Sequence, residues 1–247
     1  MTEGRLIGSV VCVSDVGRAM EQELFELFER YYDEVSPAAF HRDLHAKEWV
    51  IVLTEAASGR IKGFSTLCLM EVTVRGETVV GAFSGDTIVD RDAWGEHELV
   101  KSWYYLMEQI RERSRPRRLF WFLISKGYRT YLYLPTFFRE FYPRDGVSTP
   151  PFEDGLIEAF GTTRYPDHFN PVSGVVEFER SEGRLKAGYA GIPAHRRNDA
   201  NVAFFMRRNP GYTHGNELVC VAEFAHANFR EFGARLVGAD RPVQKGL

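Results

Sequence analysis

The chain has 247 residues, 44% of them hydrophobic and 14% aromatic, with a formal net charge of −3. That size suits one large domain, or one domain with a sizeable extension, and a near-neutral balance excludes a global basic field for nucleic acid. Three cysteines (Cys12, Cys68 and Cys220), with no C-x-x-C pair, exclude a disulfide framework and a zinc ribbon.

The thiols all fall in apolar runs and read as core filler in a reducing compartment. No apolar run reaches membrane-spanning length and no signal-like segment opens the chain, so a cytoplasmic protein with no membrane partner is expected. The aromatic surplus, with Phe at 19, reads either as core filler or as the lining of a pocket for an apolar group.

Residues 4–14 predict a strand or extended arm. Apolar positions Met20, Leu24, Leu27, Phe28, Tyr31 and Tyr32 predict a helix over 16–34. Ser36 and Pro37 end it and start a second helix over 37–47 by N-cap and N1 logic. Strands follow at 48–54, 61–74 and 78–89, the last two joined by a hairpin at Arg75-Gly76-Glu77. A helix is expected over 94–114. A strand buried on both faces follows at 119–125, then an aromatic helix over 128–141 that Pro135 kinks or ends. Beyond Pro143 the texture changes. Residues 145–154 read as a loop, 155–161 as a short helix and 163–175 as irregular. Strands at 175–180 and 185–190 are expected to pair with each other. A helix over 198–207, a strand over 217–223, a weak helix over 225–236 and a frayed tail complete the chain.

A strand that feeds a helix through a glycine-containing turn directs backbone N–H groups and the helix dipole at one point, a site for an anionic ligand. Here that arrangement spans 79–114. The order of elements over roughly 16–142 resembles the GCN5-related N-acetyltransferase (GNAT) fold. This implies an α/β protein with a mixed, mainly antiparallel central sheet flanked by helices. Residues 1–145 would form the GNAT-like core, and 146–247 a C-terminal extension packed on it. In that family the strand before the long helix splays from the next strand, and the acyl-pantetheine arm enters the gap. The corresponding pieces are Phe83–Val89 and Leu119–Ser125. The family cradles the donor pyrophosphate with Q/R-x-x-G-x-G/A. This chain offers only Asp92-x-x-Gly95-x-His97, with an acid first and an imidazole last. Asp92, Glu96 and Glu98 put negative charge where a pyrophosphate would sit, although acids at a helix N-terminus are also ordinary stabilising features.

The resemblance implies an N-acyltransferase that moves an acyl group from a pantetheine thioester, acyl-CoA or acyl carrier protein, to a small-molecule amine. Either donor is a co-substrate; no permanently bound cofactor is expected. One alternative is an acyl-homoserine-lactone-type synthase; another is a non-catalytic GNAT-like module that binds a ligand or partner. Asp86 breaks an apolar strand and reads either as the general base, directly or through water, or as the cap of a bulge at Gly85. A backbone N–H near Ser84 or Gly85 would polarise the thioester. Tyr133 is the expected donor to the departing thiolate, chosen over Tyr131 and Tyr142. His97 is either a base or donor to the thioester or a solvated cap. Trp94 either shapes the acyl channel or seals the helix on the sheet. Trp94, Gly95, Lys126 and Arg129 are assigned to the donor, and Arg196 and Arg197 to an acceptor carboxylate. His41 and His45 have the i, i+4 spacing of a metal chelate, but no third ligand is evident and surface histidines are the expectation.

Overall fold

The computed structural model describes residues 4–178 and 183–231. The chain runs β1 (Leu6–Cys12), α1 (Arg18–Tyr31), β2 (Tyr32–Asp33), α2 (Pro37–His45), β3 (Trp49–Glu55), β4 (Ile61–Val74) and β5 (Glu77–Val89). Next come α3 (Glu98–Ser114), β6 (Leu119–Ser125), α4 (Tyr128–Tyr131), α5 (Tyr133–Phe137) and α6 (Pro151–Arg164). The remainder is β7 (Phe169–Asn170), β8 (Val175–Val176), β9 (Arg184–Leu185), α7 (Ala187–Ala190), α8 (Ala200–Arg208) and β10 (Glu217–Glu223).

Eight strands form one sheet in the order β1-β3-β4-β5-β6-β10-β8-β7, while β2 and β9 pair separately. Among the described residues only β5 and β6 run parallel; the other pairings are antiparallel. A parallel pair needs a crossover, and α3 supplies it. This is the GNAT-like architecture, with extra C-terminal elements.

Local chemistry explains the early elements. Ser36 Oγ accepts a hydrogen bond from the Ala39 N–H at 3.2 Å and Pro37 occupies the first turn, so α2 starts where capping rules place it. On α1 the stripe Leu24, Leu27, Phe28 and Tyr31 is buried, with Phe25 beside it. It packs with α2 on Val50, Val52, Phe64 and Ile88. Next to them α6 covers Val79, Phe83, Phe120 and Phe122 through Leu156, Ile157 and Phe160. On the other face α3, α4, α5 and α8 bury Leu106, Met107, Ile110, Tyr131, Leu134 and Phe205 on Ile51, Val80, Trp121 and Leu123.

Several expectations are corrected. The long helix begins at Glu98 rather than at 94, because a 3-10 turn at Arg91–Ala93 and Gly95, in the left-handed region at φ +96°, occupy its expected start. The aromatic helix is two short helices that end at Phe137, and Pro135 sits in the first turn of the second, where its missing N–H costs nothing. Residues 151–164 form a full helix where a loop, a short helix and irregular chain were expected. Strands β8 and β9 do not pair with each other: β8 joins β10 and β7, and β9 joins β2. Of the expected weak helix over 225–236, the described part is a 3-10 turn at His226–Asn228. The tail lies outside the described residues, as do Ser181 and Glu182 between the two strands expected to pair.

Candidate active site

The site is built around the point where β5 and β6 part. Their ladder runs from Val80–Leu119 to Ser84–Leu123 and ends there, while β5 continues to Val89. At the same point the β4–β5 ladder steps from Leu67–Ser84 to Ser65–Thr87, so two positions on β4 span three on β5. This is a β-bulge at Gly85 and Asp86, opposite Thr66. A bulge breaks the period of two, and here it turns two consecutive residues, Gly85 and Asp86, toward the same cavity.

That cavity measures about 580 Å³ and lies under α1 and α2. Its apolar wall includes Phe28, Phe40, Phe83 and Tyr165. Its charged groups come from α2, β5 and β10, from the loops flanking α2 and from the β6–α4 turn. The Lys47 side chain, only 1% exposed, donates to Asp43 Oδ2 at 2.6 Å and to the Asp43 carbonyl at 3.0 Å. Lys126 Nζ lies 3.2 Å from Glu217 Oε1 and donates to the Gly183 carbonyl at 2.8 Å. Both lysines thus already have anionic partners, and Asp86 is the remaining carboxylate at the centre. Burial pushes the Asp86 carboxyl up to about 7; Asp43 and Glu217 add to the rise while Lys47 and Lys126 oppose it. A carboxyl poised near neutrality in a cavity has the property a general base needs.

A second cavity of about 380 Å³ lies between the Arg91–His97 loop and the β6–α4 turn. It is lined by Trp94, Gly95, Glu96, Arg129 and Tyr133, and by Tyr189 and Arg196 from the C-terminal part. Tyr32, Thr87 and Thr130 line both cavities, so the two meet at the gap. A small apolar pocket of about 40 Å³ opens beside them between Trp103, Trp121 and Phe137, and Tyr133 and Thr87 border it too. The acids at the loop are largely matched. Asp92 pairs with Lys62 at 2.6 Å, which holds its carboxyl below the usual range, and Glu98 pairs with Lys101 at 2.7 Å.

The residues singled out in the sequence fall as follows. Asp86 and Gly85 line the larger cavity. Ser84 is buried and its Oγ accepts from the indole N–H groups of Trp121 at 2.8 Å and Trp103 at 3.3 Å, so its side chain is committed to the core. Tyr133 lines the cleft, and burial pushes its hydroxyl pKa up. Tyr131 is buried and its hydroxyl donates to the Pro143 carbonyl at 3.0 Å. Trp94 is exposed; its indole donates to the Val89 carbonyl at 2.9 Å, and the Arg129 guanidinium stacks 4.6 Å over its ring.

Four further residues singled out in the sequence lie as follows. Lys126, expected at the donor, stands in the larger cavity, because it leaves the end of β6 toward Glu217 of β10. Arg196, expected at the acceptor, borders the cleft. Arg197, one residue on in the same turn, and His97, at the cap of α3, are exposed and border neither cavity. Sequence reasoning missed Asp43, Lys47, Glu217 and Tyr32. Only the i, i+4 spacing of Asp43 and Lys47 carried a signal, one equally typical of a solvated helix face.

No family model matches the chain, and no curated protein matches it. Similar folds exist among solved structures. A probable N-acyltransferase of Enterococcus faecalis V583 is 12% identical, covering 90% of this chain and 67% of that one, at a TM-score of 0.42. An acetyltransferase of Trypanosoma brucei is 21% identical over 59% of this chain and 100% of that one, at 0.38. A GNAT-family N-acetyltransferase of Escherichia coli, solved with CoA, is 16% identical over 51% and 67%, at 0.36. The likeness is one of chain path alone, and the chemistry rests on the residues at the gap.

Proposed function

We propose that the chain transfers an acyl group from a pantetheine thioester to an amine in the gap between β5 and β6. The observation that carries this reading is Asp86. It is a carboxyl raised to about 7, turned by a bulge into a cavity at the point where a second cleft arrives. The thioester lies in the cleft bordered by Trp94, Gly95, Arg129 and Arg196, with its carbonyl at the bulge, where a backbone N–H polarises it. The amine reaches it from the larger cavity. Asp86, or a water it orients, takes the ammonium proton. The amine nitrogen then bonds to the carbonyl carbon, the C–S bond breaks as the Tyr133 hydroxyl protonates the sulfur, and the second proton that the nitrogen sheds returns through solvent to the Tyr133 phenolate. Its raised pKa keeps that proton available at neutral pH.

Arg129 and Arg196 supply the positive charge that Asp92-x-x-Gly95-x-His97 lacks, and they suit the phosphates of coenzyme A or of a carrier-bound arm. Asp86→Asn tests the reading: the fold is retained and turnover falls by about 10²–10⁴-fold. Full activity in that variant sinks it. Thermal shifts with acetyl-CoA, long-chain acyl-CoA and acyl carrier protein identify the donor, and no stabilisation by any of them favours a non-catalytic module.

A further inference from the structure

Outside the cavity, α1 and α2 meet through a cluster the reaction does not use. His41 and His45 stand one turn apart on α2, a spacing that puts both rings on one helix face. No third ligand lies near them in sequence, but the fold brings one from α1. Glu21 Oε1 lies 2.6 Å from His41 Nδ1, and Glu21 Oε2 lies 3.2 Å from His45 Nε2. The two rings are 4.3 Å apart between centroids, and one ligand atom from each residue lies within 4.8 Å of the others.

We propose that Glu21, His41 and His45 form a three-ligand zinc(II) site that fastens α1 to α2. Zinc bonds of about 2.0–2.2 Å in a tetrahedron set ligand atoms roughly 3.3–3.5 Å apart. The Glu21–His41 and Glu21–His45 separations of 2.6 and 3.2 Å fall somewhat short of that value, and two exposed imidazoles can turn outward to meet it. Two nitrogens and one oxygen form a donor set that suits zinc, whereas calcium and magnesium take oxygen shells. The fourth position faces solvent and takes water. Burial alone would raise the Glu21 carboxyl, but hydrogen bonds from both histidines outweigh it and hold it below the usual range. The site also reaches the cavity wall, since Asp43, between the two histidines, holds Lys47 there.

The test is calorimetric titration of Zn²⁺ into the chelator-treated full chain, with a thermal melt alongside. The expected result is one zinc per chain and a higher Tm with zinc. Affinity falls by roughly tenfold or more in H41A, H45A or E21Q, and saturable binding is lost in the H41A/H45A pair. Metal-free melts that match wild type show that these variants fold. Absence of 1:1 binding, or unchanged binding in the double variant, overturns the proposal. Catalysis is not the readout, so the result stands apart from the acyl-transfer reading.

Discussion

Gly85 and Lys47 approach each other so closely that a methyl group on Gly85 would lie 2.8 Å from the Lys47 Cε, and 2.6 Å from Thr66 Oγ1. Thr66 Oγ1 is itself buried with no hydrogen-bond partner among the described residues. The bulge therefore has a glycine because two side chains from neighbouring elements fill the space a Cβ would take. Gly85→Ala must push Lys47 off the cavity wall or open the β4–β5 ladder. The expected cost is about 1–3 kcal/mol in urea unfolding, with a fall in turnover larger than any change in donor affinity.

The raised Asp86 carboxyl fixes a sign for stability. Its folded pKa lies above the unfolded one, so between about pH 4 and pH 7 the native state binds the extra proton and stability falls as pH rises. Burial is the main cause, and Asp43, Glu217, Lys47 and Lys126 around it adjust the size of the effect. Asp86→Asn removes the penalty, so the variant is expected to exceed wild type by about 1–3 kcal/mol at pH 8 and to lose that advantage near pH 4. Urea unfolding at the two pH values reads the difference. Turnover of wild type runs the other way and climbs through pH 7 as the base ionises.

Tyr133→Phe separates leaving-group protonation from the rest of the transfer. The variant is expected to lose about a hundredfold in turnover with an unchanged melt. A thioester whose thiol has a low pKa needs less help in departing, so it recovers most of the loss. An equal loss with both donors removes Tyr133 from that role.

The C-terminal part shares the sheet with the rest. β10 pairs with β6 from Leu218–Ser125 to Glu223–Phe120, and Arg118 donates twice to Glu223, at 3.0 and 2.7 Å. Cutting the chain after residue 145 strips β6 of that partner and uncovers Phe122 and Leu123, both at most 1% exposed. The 1–145 fragment is expected to aggregate or to give no cooperative melt, and a soluble fragment with native circular dichroism would overturn this. Arg118→Ala in the full chain is expected to cost about 1 kcal/mol.

The buried strand 119–125 was legible as a continuous apolar run, and the long strand 61–74 because apolar and β-branched residues run through it between turn residues at both ends. The helix 151–164 was not, because Pro150-Pro151 reads as loop until Pro151 is seen as its first residue. The two-residue strands β8 and β9 carry no period of their own, so long-range contacts alone choose their partners. At the site, Asp86 stood out as an acid within an apolar strand. Asp43, Lys47 and Glu217 did not, since each looks like an ordinary surface charge until the fold buries Lys47 and Glu217 and brings Asp43 to the cavity rim. The third member of the histidine cluster was hidden the same way: Glu21 is 20 residues from His41 and on a different helix.

Tyr32, Thr87 and Thr130 belong to the walls of both cavities. A party wall of three side chains leaves no chamber in which half a reaction can wait. Cys12, Cys68 and Cys220 line neither space, so no thiol is at hand to carry the acyl group between visits. Under the proposed transfer, donor and acceptor are expected to be in residence together. In initial-velocity plots that arrangement gives lines that intersect, where an enzyme serving its substrates in turn gives parallel ones.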